Sequence, residues 1–526
     1  MKLITSCVYL LLFLLLGFGL YLISLHLFQN DLMFHTDIAR DFLLMGDIIQ
    51  TKDLTLIGPK AGGIPGMFFG PVWLYLNIPF LIVGGGNPLV IGYFWVFLVL
   101  LSLFSVFFVA YKIFGKTSAI TATVIYTFCC VSFSSGFTQS FGSVLLSPWL
   151  IYCIYLYWGK RNVRYLLLAL LINGFIYQCQ PAAGMITLAV TIPFSLFLIH
   201  RRKHYKHLLS YFILLLPFST FILFDLKHDF LQARAFIAHF TGPGLPASEK
   251  LSLTEYIANR IDSYFGTIDF LNKNTNDRNS YFGIINFLKQ YSILTRGLFL
   301  GLYSYVAYLM IKRKHVVGKR YYILFFTYIF GFMIITCIYR GIIIDYYYWA
   351  FLPLSIIAFS GLFHIIPKKI FLGITVVVLS LTILNAIDYR IKWENHFTGV
   401  ESSSWKLNKE VATFIYNDAQ SDFGYYVYSA DEFGHPVRYA MEYIQKGATH
   451  KGTLCQKEQT LYLVYYRTPS FATTNPVYWK KQRIKIDMAP LFVKKMHDIT
   501  VEKYQLTPEE INVQADPNLV CDLHFR

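Results

Sequence analysis

Charged side chains are scarce in this sequence of 526 residues. Asp, Glu, Lys and Arg together make up 14% of it, whereas soluble globular proteins carry roughly 25%. Hydrophobic residues make up 55%, and the mean hydropathy is +0.47. The composition excludes a soluble enzyme, a disordered chain and a collagen-like chain for most of the length. It indicates a polytopic membrane protein instead.

The residue patterns of zinc and nucleotide sites are missing as well. The eight Cys show no C-x-x-C or Cys/His spacing, so a structural zinc site is not expected. Six lie in apolar runs, while Cys455 and Cys521 lie in the polar C-terminal region. These two either form a disulfide in an oxidising compartment or are unrelated free thiols. Residues 115–117 read Gly-Lys-Thr, but Ala110 stands where a Walker motif has its first glycine.

Long apolar runs alternate with short basic clusters over residues 1–387. The clusters fall on one face, which the positive-inside rule assigns to the cytoplasm, and they explain the net charge of +16 without nucleic acid. The N-terminus is then cytoplasmic, and 29–87 and 225–290 are long external loops. If Pro71–Val83 crossed the membrane the N-terminus would be external, but this segment is too short to span about 30 Å, so we interpret it as a juxtamembrane helix. The eleven expected spans are Val8–Phe28, Pro88–Tyr111, 117–134, 143–158, 165–180, 182–199, 208–224, 291–311, 321–339, 346–364 and 370–387.

Residues 388–526 are polar and mix two periodicities. Trp405–Asn417 and Pro436–Gln445 have helical spacing, whereas Gly424–Tyr428 and Thr460–Tyr466 are rich in strand-forming residues. The sequence thus predicts an all-α polytopic membrane domain, 1–387, followed by a small extracytoplasmic α/β domain, 388–526. The odd number of spans puts this second domain outside.

The loop after the first helix carries the first candidate site. A carboxylate at the boundary of water and lipid is placed to take a proton from an acceptor hydroxyl, so Asp37 is a candidate general base. Arg40, three residues on, shares a helical face with Asp37 and favours its charged form. The alternative is structural, with Thr36 or Asp37 capping a helix over Ile38–Gln50. The candidates in this loop are His35, Asp37, Arg40 and Asp41.

Three further segments on the external face carry candidate substrate-binding groups. One is the Gly/Pro-rich stretch 58–70, one follows the seventh span, and one lies at the mouth of the tenth span. Each is either an interfacial belt of aromatic and cationic side chains or a clamp for a lipid phosphate. The candidates are Lys60, Lys227, His228, Arg234, Arg340, Asp345, Tyr346 and Tyr347.

The order of these elements resembles the bacterial membrane glycosyltransferases of the GT-C superfamily. It comprises a first helix, a D-x-x-R-D loop, a GP…GG…GP-x-W-x-Y segment, an FDL-K-H-D-F loop and a DYYYW mouth, over roughly residues 1–387. The resemblance is to family 39-like enzymes, near the protein mannosyltransferases and aminoarabinose transferases. It implies a GT-C fold and a polyprenyl-phosphate-linked sugar as donor.

The resemblance also bears on individual residues of the first loop. Asp37 matches the acidic residue of the family's first extracytoplasmic loop, and Arg40 matches its basic residue. Ile38, however, stands where a second acidic residue belongs, and the next external loop, about Phe133–Gly142, contains no acidic residue. A divalent metal cofactor therefore lacks support, and no metal ligand is assigned.

The sequence predicts an inverting glycosyltransferase of the cytoplasmic (inner) membrane. It would move a sugar from a polyprenyl-phosphate carrier to an extracytoplasmic glycan, lipid or protein, with Asp37 as base, positioned by Arg40 and Asp41. Cations of the later loops would bind the phosphate, and Tyr346 and Tyr347 would flank the carrier or sugar. The alternatives are a lipid or glycan transporter, for which mid-span charges and repeated halves are expected but not found, and a non-catalytic scaffold.

Overall fold

The structure is a computed structural model. It describes residues 2–241, 252–271, 280–312, 315–339, 341–429, 431, 433–467 and 475–521, with only the backbone for 2–9 and 240.

Helices form at all eleven expected spans. In chain order the helices are α1 (Lys2–Phe28), α2 (Thr36–Thr51), α3 (Val72–Val83), α4 (Pro88–Phe114), α5 (Lys116–Cys130), α6 (Phe141–Lys160), α7 (Val163–Cys179), α8 (Pro181–Arg202), a 3-10 helix (Tyr205–Leu214) leading into α9 (Leu215–Lys227), α10 (Leu231–Thr241), α11 (Leu253–Gly266), α12 (Gly283–Gln290), α13 (Ser292–Lys312), α14 (Lys319–Ile338), α15 (Phe351–Gly361) and α16 (Lys368–Lys392).

Among the described residues, eight of the expected spans are long and apolar enough to cross a membrane, namely α1, α4, α6, α8, the 3-10 helix with α9, α13, α14 and α16. The other three expected spans, α5, α7 and α15, are shorter.

The tenth expected span begins later than its sequence suggests. Residues Asp345–Tyr347 form a separate 3-10 turn, and α15 begins only at Phe351. The juxtamembrane helix α3 has 12 residues, about 18 Å at 1.5 Å per residue, which is too short to span the hydrocarbon core. In its described residues, the second long loop expected from the sequence, 225–290, contains the helices α10, α11 and α12.

The C-terminal region is the expected α/β fold. Its elements are α17 (Trp405–Asp418), β1 (Phe423–Tyr428), α18 (His435–Gln445), β2 (Gly452–Leu454), β3 (Thr460–Tyr466), α19 (Pro476–Tyr478), β4 (Phe492–Met496), β5 (Ile499–Gln505) and α20 (Pro508–Asn512). The strands described form a sheet in the order β2-β1-β3-β5-β4. Strand β3 is central and buried, with parallel β1 on one side of it and antiparallel β5 on the other.

A disulfide lies beside an apolar cluster of this region. Cys455 and Cys521 are bonded, with their Cα atoms 5.9 Å apart, so the predicted pairing is confirmed and the alternative of two free thiols is wrong. The apolar cluster beside it includes Tyr426, Leu463 and Trp479, all buried.

Packing divides the chain into two compact units. The first unit is Met1–Ile23, Thr55–Leu76 and Trp95–Tyr389. The second unit joins Arg390–Arg526 to two earlier segments, Ser24–Leu54 and Asn77–Phe94. The loop with Asp37 therefore packs in the same unit as the C-terminal sheet. The division into two domains at residue 387 stays a prediction of the sequence.

Candidate active site

Helix α2 presents the first group of candidate residues, in the second unit. The helix begins at Thr36, and His35 is its N-cap, with Nδ1 accepting a hydrogen bond from the backbone N–H of Asp37 at 3.2 Å. The expectation that Thr36 or Asp37 caps this helix is therefore wrong. Burial lowers the pKa of His35, and the neutral ring is the form in which Nδ1 can accept. Asp37 is thus released from the capping role.

Arg40 bridges two carboxylates of the same helix. One terminal nitrogen lies 2.6 Å from Oδ1 of Asp37, and the other lies 3.0 Å from Oδ1 of Asp41. The Asp37 side chain is 61% exposed, whereas those of Arg40 and Asp41 are 14% and 6% exposed. The exposed carboxylate can reach an acceptor, while the buried pair holds the guanidinium in place.

The two carboxylates differ electrostatically because only one is buried. Burial raises the pKa of Asp41 to about 6, although the charge of Arg40 and its hydrogen bonds oppose the shift. Asp41 consequently titrates near neutral pH.

The turn after β1 holds the start of α2 in place. The Thr36 hydroxyl donates a hydrogen bond to the carboxylate of Asp431. Asp431 also accepts hydrogen bonds from the Ser429 hydroxyl and the backbone N–H of Phe433. Burial raises the pKa of Asp431, but these hydrogen bonds outweigh burial and hold it below the usual value. The sequence analysis did not single out Asp431. Its position in a polar stretch directly after a strand was the signal that could have identified it.

Aromatic rings complete this contact. Phe34 packs edge-on against Phe42 and Trp405, with ring centroids 5.1 Å apart in both pairs. Tyr439 of α18 packs on Phe34 and Phe42, and its hydroxyl donates to the carbonyl of Gly86 at 2.7 Å. Such ring pairs stabilise beyond their buried area. The backbone that carries Asp37 is therefore rigidly supported within its unit.

The second group of candidates surrounds a cavity of about 490 Å³ in the first unit. Its walls are apolar over most of their area. Tyr346 and Tyr347, both predicted as substrate-binding, lie in the wall. The other lining residues come mainly from 61–69, from the start of α8 and from 335–343, and no charged side chain is among the described residues that line it.

Two glycines allow three tyrosine hydroxyls to gather at this cavity. A Cβ atom on Gly63, whose φ is +99°, would lie 2.6 Å from the hydroxyl oxygens of both Tyr339 and Tyr347. A Cβ on Gly62 would lie 3.2 Å from the hydroxyl of Tyr346, and Tyr347 donates to the Gly62 carbonyl at 3.1 Å. These two glycines thus make room for polar groups in an apolar wall.

The predicted cations that the structure describes do not line this cavity. Lys227 ends α9, His228 follows it and Arg234 lies in α10, and all three are exposed, as is Lys60 on the glycine-rich stretch. The His228 ring stacks on Phe224, with centroids 4.1 Å apart. Of the remaining candidates, Asp345 accepts a hydrogen bond from the Tyr348 hydroxyl at 2.7 Å, and Arg340 lies outside the described residues.

A buried arginine that the sequence did not single out stands behind one wall of the cavity. Arg260 of α11 is 3% exposed. Its guanidinium donates to the carbonyls of Thr336, Tyr339 and Gly341, at 2.7 to 2.9 Å. Thr336 and Tyr339 line the cavity. Arg260 lies in an amphipathic loop helix, where its sequence position gave no signal of burial.

In the described ranges no three His, Cys, Asp or Glu side chains lie close enough to hold an ion.

Two comparisons match this chain to known proteins. The sequence model of the family described as dolichyl-phosphate-mannose-protein mannosyltransferase matches residues 70–224. No curated protein matches the chain. The crystal structure of ArnT from Cupriavidus metallidurans bound to undecaprenyl phosphate matches with a TM-score of 0.54 at 11% identity, over 96% of this chain and 98% of that one. Both findings confirm the resemblance to GT-C superfamily membrane glycosyltransferases, and the fold of the chain is the GT-C fold.

Proposed function

We propose that the chain is an inverting glycosyltransferase that moves a sugar from a polyprenyl-phosphate carrier to an extracytoplasmic acceptor. The observation that carries this proposal is the cavity of the first unit, whose apolar walls and cluster of tyrosine hydroxyls suit an amphiphilic lipid. The likeness to a protein bound to undecaprenyl phosphate supports this class of carrier.

Asp37 is the proposed general base. It is the exposed one of the two carboxylates that Arg40 bridges. Because His35 caps α2, the Asp37 side chain is available for proton transfer. Arg40 and Asp41 position it through the ion pairs described above. A phosphate is a good leaving group, so the main demands on the protein are alignment of the acceptor and neutralisation of charge.

Exposed cations are proposed to meet the phosphate. Lys60, Lys227, His228 and Arg234 are exposed, and Arg340 follows Tyr339 of the cavity wall in the sequence. Their proposed task is to bind the carrier while it enters and leaves. Tyr346 and Tyr347 would hold the carrier or its sugar.

The proposed location is the inner membrane, with the N-terminus in the cytoplasm and residues 388–526 outside. The disulfide supports the external placement, because disulfides persist in oxidising compartments.

A transfer assay tests the function. Purified protein in lipid vesicles is given a panel of polyprenyl-phosphate sugars and candidate acceptors, and glycosylated product is measured per folded molecule. Asp37→Asn should lower turnover by roughly 10²–10⁴, the usual contribution of a general base, while carrier binding is retained.

Asp53→Asn is the matched control, since it removes the same charge from an exposed side chain two residues beyond the end of α2. It should leave turnover unchanged. Near-normal turnover in Asp37→Asn would remove Asp37 from the mechanism. Movement of a lipid across the vesicle without any transfer product would favour the transporter alternative.

A further inference from the structure

The junction of α7 and α8 places a buried amide in the apolar cavity. Gln180 precedes Pro181, which opens α8, and takes an extended conformation with φ −149° and ψ 94°. The residue before a proline is pushed out of the helical region, so the chain bends there. Its backbone is satisfied, since its N–H donates to Ile176 at 2.7 Å and its carbonyl accepts from Gly184 at 2.8 Å.

The side chain of Gln180 is different. It is 1% exposed and lines the cavity. Its Nε2 has no hydrogen-bond acceptor among the residues that the structure describes. A buried amide donor without an acceptor is costly and rare in proteins, so it points to a ligand that supplies one.

The other polar groups around the cavity show which ligand atom would suit it. The Gln180 carboxamide lies in a wall that also holds the hydroxyls of Tyr339, Tyr346 and Tyr347, of which Tyr347 already donates to the Gly62 carbonyl. The described lining residues include no carboxylate. Behind the wall, Arg260 carries a buried positive charge whose described acceptors are three carbonyls and the Asn259 side chain. Donors within the cavity and a cation behind it favour an anion that only accepts hydrogen bonds.

We propose that Gln180 is a substrate-binding residue whose carboxamide donates a hydrogen bond to a phosphoryl oxygen of a lipid phosphate held in this cavity. The inference rests on the proposed function, which it deepens by assigning recognition of the head group to a neutral amide. The apolar walls then hold the part of the isoprenoid chain next to the head group.

Binding of two lipids that differ only at the head group tests this assignment. The purified full-length protein is titrated with undecaprenyl phosphate and with undecaprenol, and thermal unfolding is followed in the same samples. Gln180→Leu removes the amide but keeps the approximate volume. It should weaken binding of undecaprenyl phosphate about tenfold, as expected for one hydrogen bond to a charged group, and should not change binding of undecaprenol.

Stability separates a binding role from a structural one. Removing an unpartnered donor should leave the unfolding temperature of Gln180→Leu equal to or above that of the wild type. Gln178→Leu is the matched control, because that buried amide donates to the carbonyl of Pro217 and to the Thr220 hydroxyl. It should lower the unfolding temperature and keep the wild-type preference for the phosphate. If Gln180→Leu does not fold, the same measurements are made on Gln180→Met.

The result that overturns the proposal is equal binding of undecaprenyl phosphate by wild type and both Gln180 variants, or a wild type that binds the phosphate no better than the alcohol. If sugar transfer proceeds but Gln180→Leu binds normally, this inference fails and the proposed function stands. If no carrier sugar is transferred while the preference for phosphate depends on Gln180, the function fails and the binding site stands.

Discussion

The start of α2 and the cavity of the first unit differ in how they hold polar groups. At α2 the polar groups are charged, paired and partly in contact with water, as in the Asp37–Arg40–Asp41 set. Around the cavity they are neutral groups set in apolar walls, and the charge of Arg260 is buried behind one wall. Charges near water suit proton transfer, whereas enclosed donors suit recognition of an anionic head group. In the proposed function, the α2 site therefore supplies the base and the cavity binds the carrier.

The largest expected effect comes from removing the buried charge. Arg260→Met leaves the carbonyls of Thr336, Tyr339 and Gly341 without this donor, and each buried acceptor left unsatisfied costs about 1–3 kcal/mol of stability. We expect a large fall in unfolding temperature and loss of the preference for undecaprenyl phosphate. Thermal unfolding of the purified protein measures the first.

Arg296→Met is the control for that variant. The Arg296 side chain, 19% exposed, pairs at 2.7 Å with Asp262, whose side chain is 63% exposed, and an ion pair open to water on one side contributes about 1 kcal/mol or less. Equal losses for both variants would show that Arg260 is no more important to stability than an arginine in a partly exposed ion pair.

The next effect concerns pH at the charged site. The folded-state pKa of Asp41, about 6 because of burial, lies above the unfolded value of about 3.9. The folded protein therefore binds more protons between about pH 4 and pH 6. The stability that protonated Asp41 contributes is fully present below about pH 4 and is lost as the pH rises to about 6, by roughly 2–3 kcal/mol.

Asp41→Asn should abolish that decline, because the amide does not titrate. Unfolding temperatures measured from pH 4 to pH 7 check this, with Asp53→Asn as the exposed control. Parallel curves for wild type and Asp41→Asn would show that Asp41 is already ionised in the folded protein at pH 4.

The smallest expected effect is a substitution at Gly63, in the wall of the cavity. Gly63→Ala places a methyl group 2.6 Å from two tyrosine hydroxyls at a φ of +99°, and the backbone strain alone costs about 1–2 kcal/mol. Gly115→Ala carries similar strain at a φ of +88°, with nothing within 4 Å of the added atom. Gly63→Ala should lose at least as much stability as Gly115→Ala, because the two hydroxyls must also move, and only Gly63→Ala should weaken lipid binding. A titration with undecaprenyl phosphate distinguishes them.

The sequence predicted most of the fold because periodicity is a local property. Helices form at every expected span, and β3 has the predicted bounds, Thr460–Tyr466. Strands β4 and β5 were missed, since residues such as Lys494 and Lys495 are exposed on the edge strand and break the apolar alternation. The start of α15 was misplaced because Tyr346 and Tyr347 look like interfacial residues of a span.

The candidate site was only partly predictable, for a physical reason. Charges three residues apart on a helix must be neighbours, so the Arg40–Asp37 pair followed from spacing alone. The contact of Thr36 with Asp431, by contrast, joins residues far apart in the sequence. Gln180 and Arg260 gave no signal either, because burial of a polar side chain depends on elements packed around it. Their environment had to be observed.

The hydrogen bond between Thr36 and Asp431 also sets an order of events during synthesis. These residues are 395 positions apart, and at roughly 5–20 residues per second the ribosome needs roughly 20–80 s to travel from one to the other. During that interval α18 has not yet been synthesised. The apolar face of α2, with Ile38 and Phe42, must therefore be covered by lipid or a chaperone. A nascent chain therefore carries the proposed base, Asp37, well before it contains Asp431, the partner of Thr36.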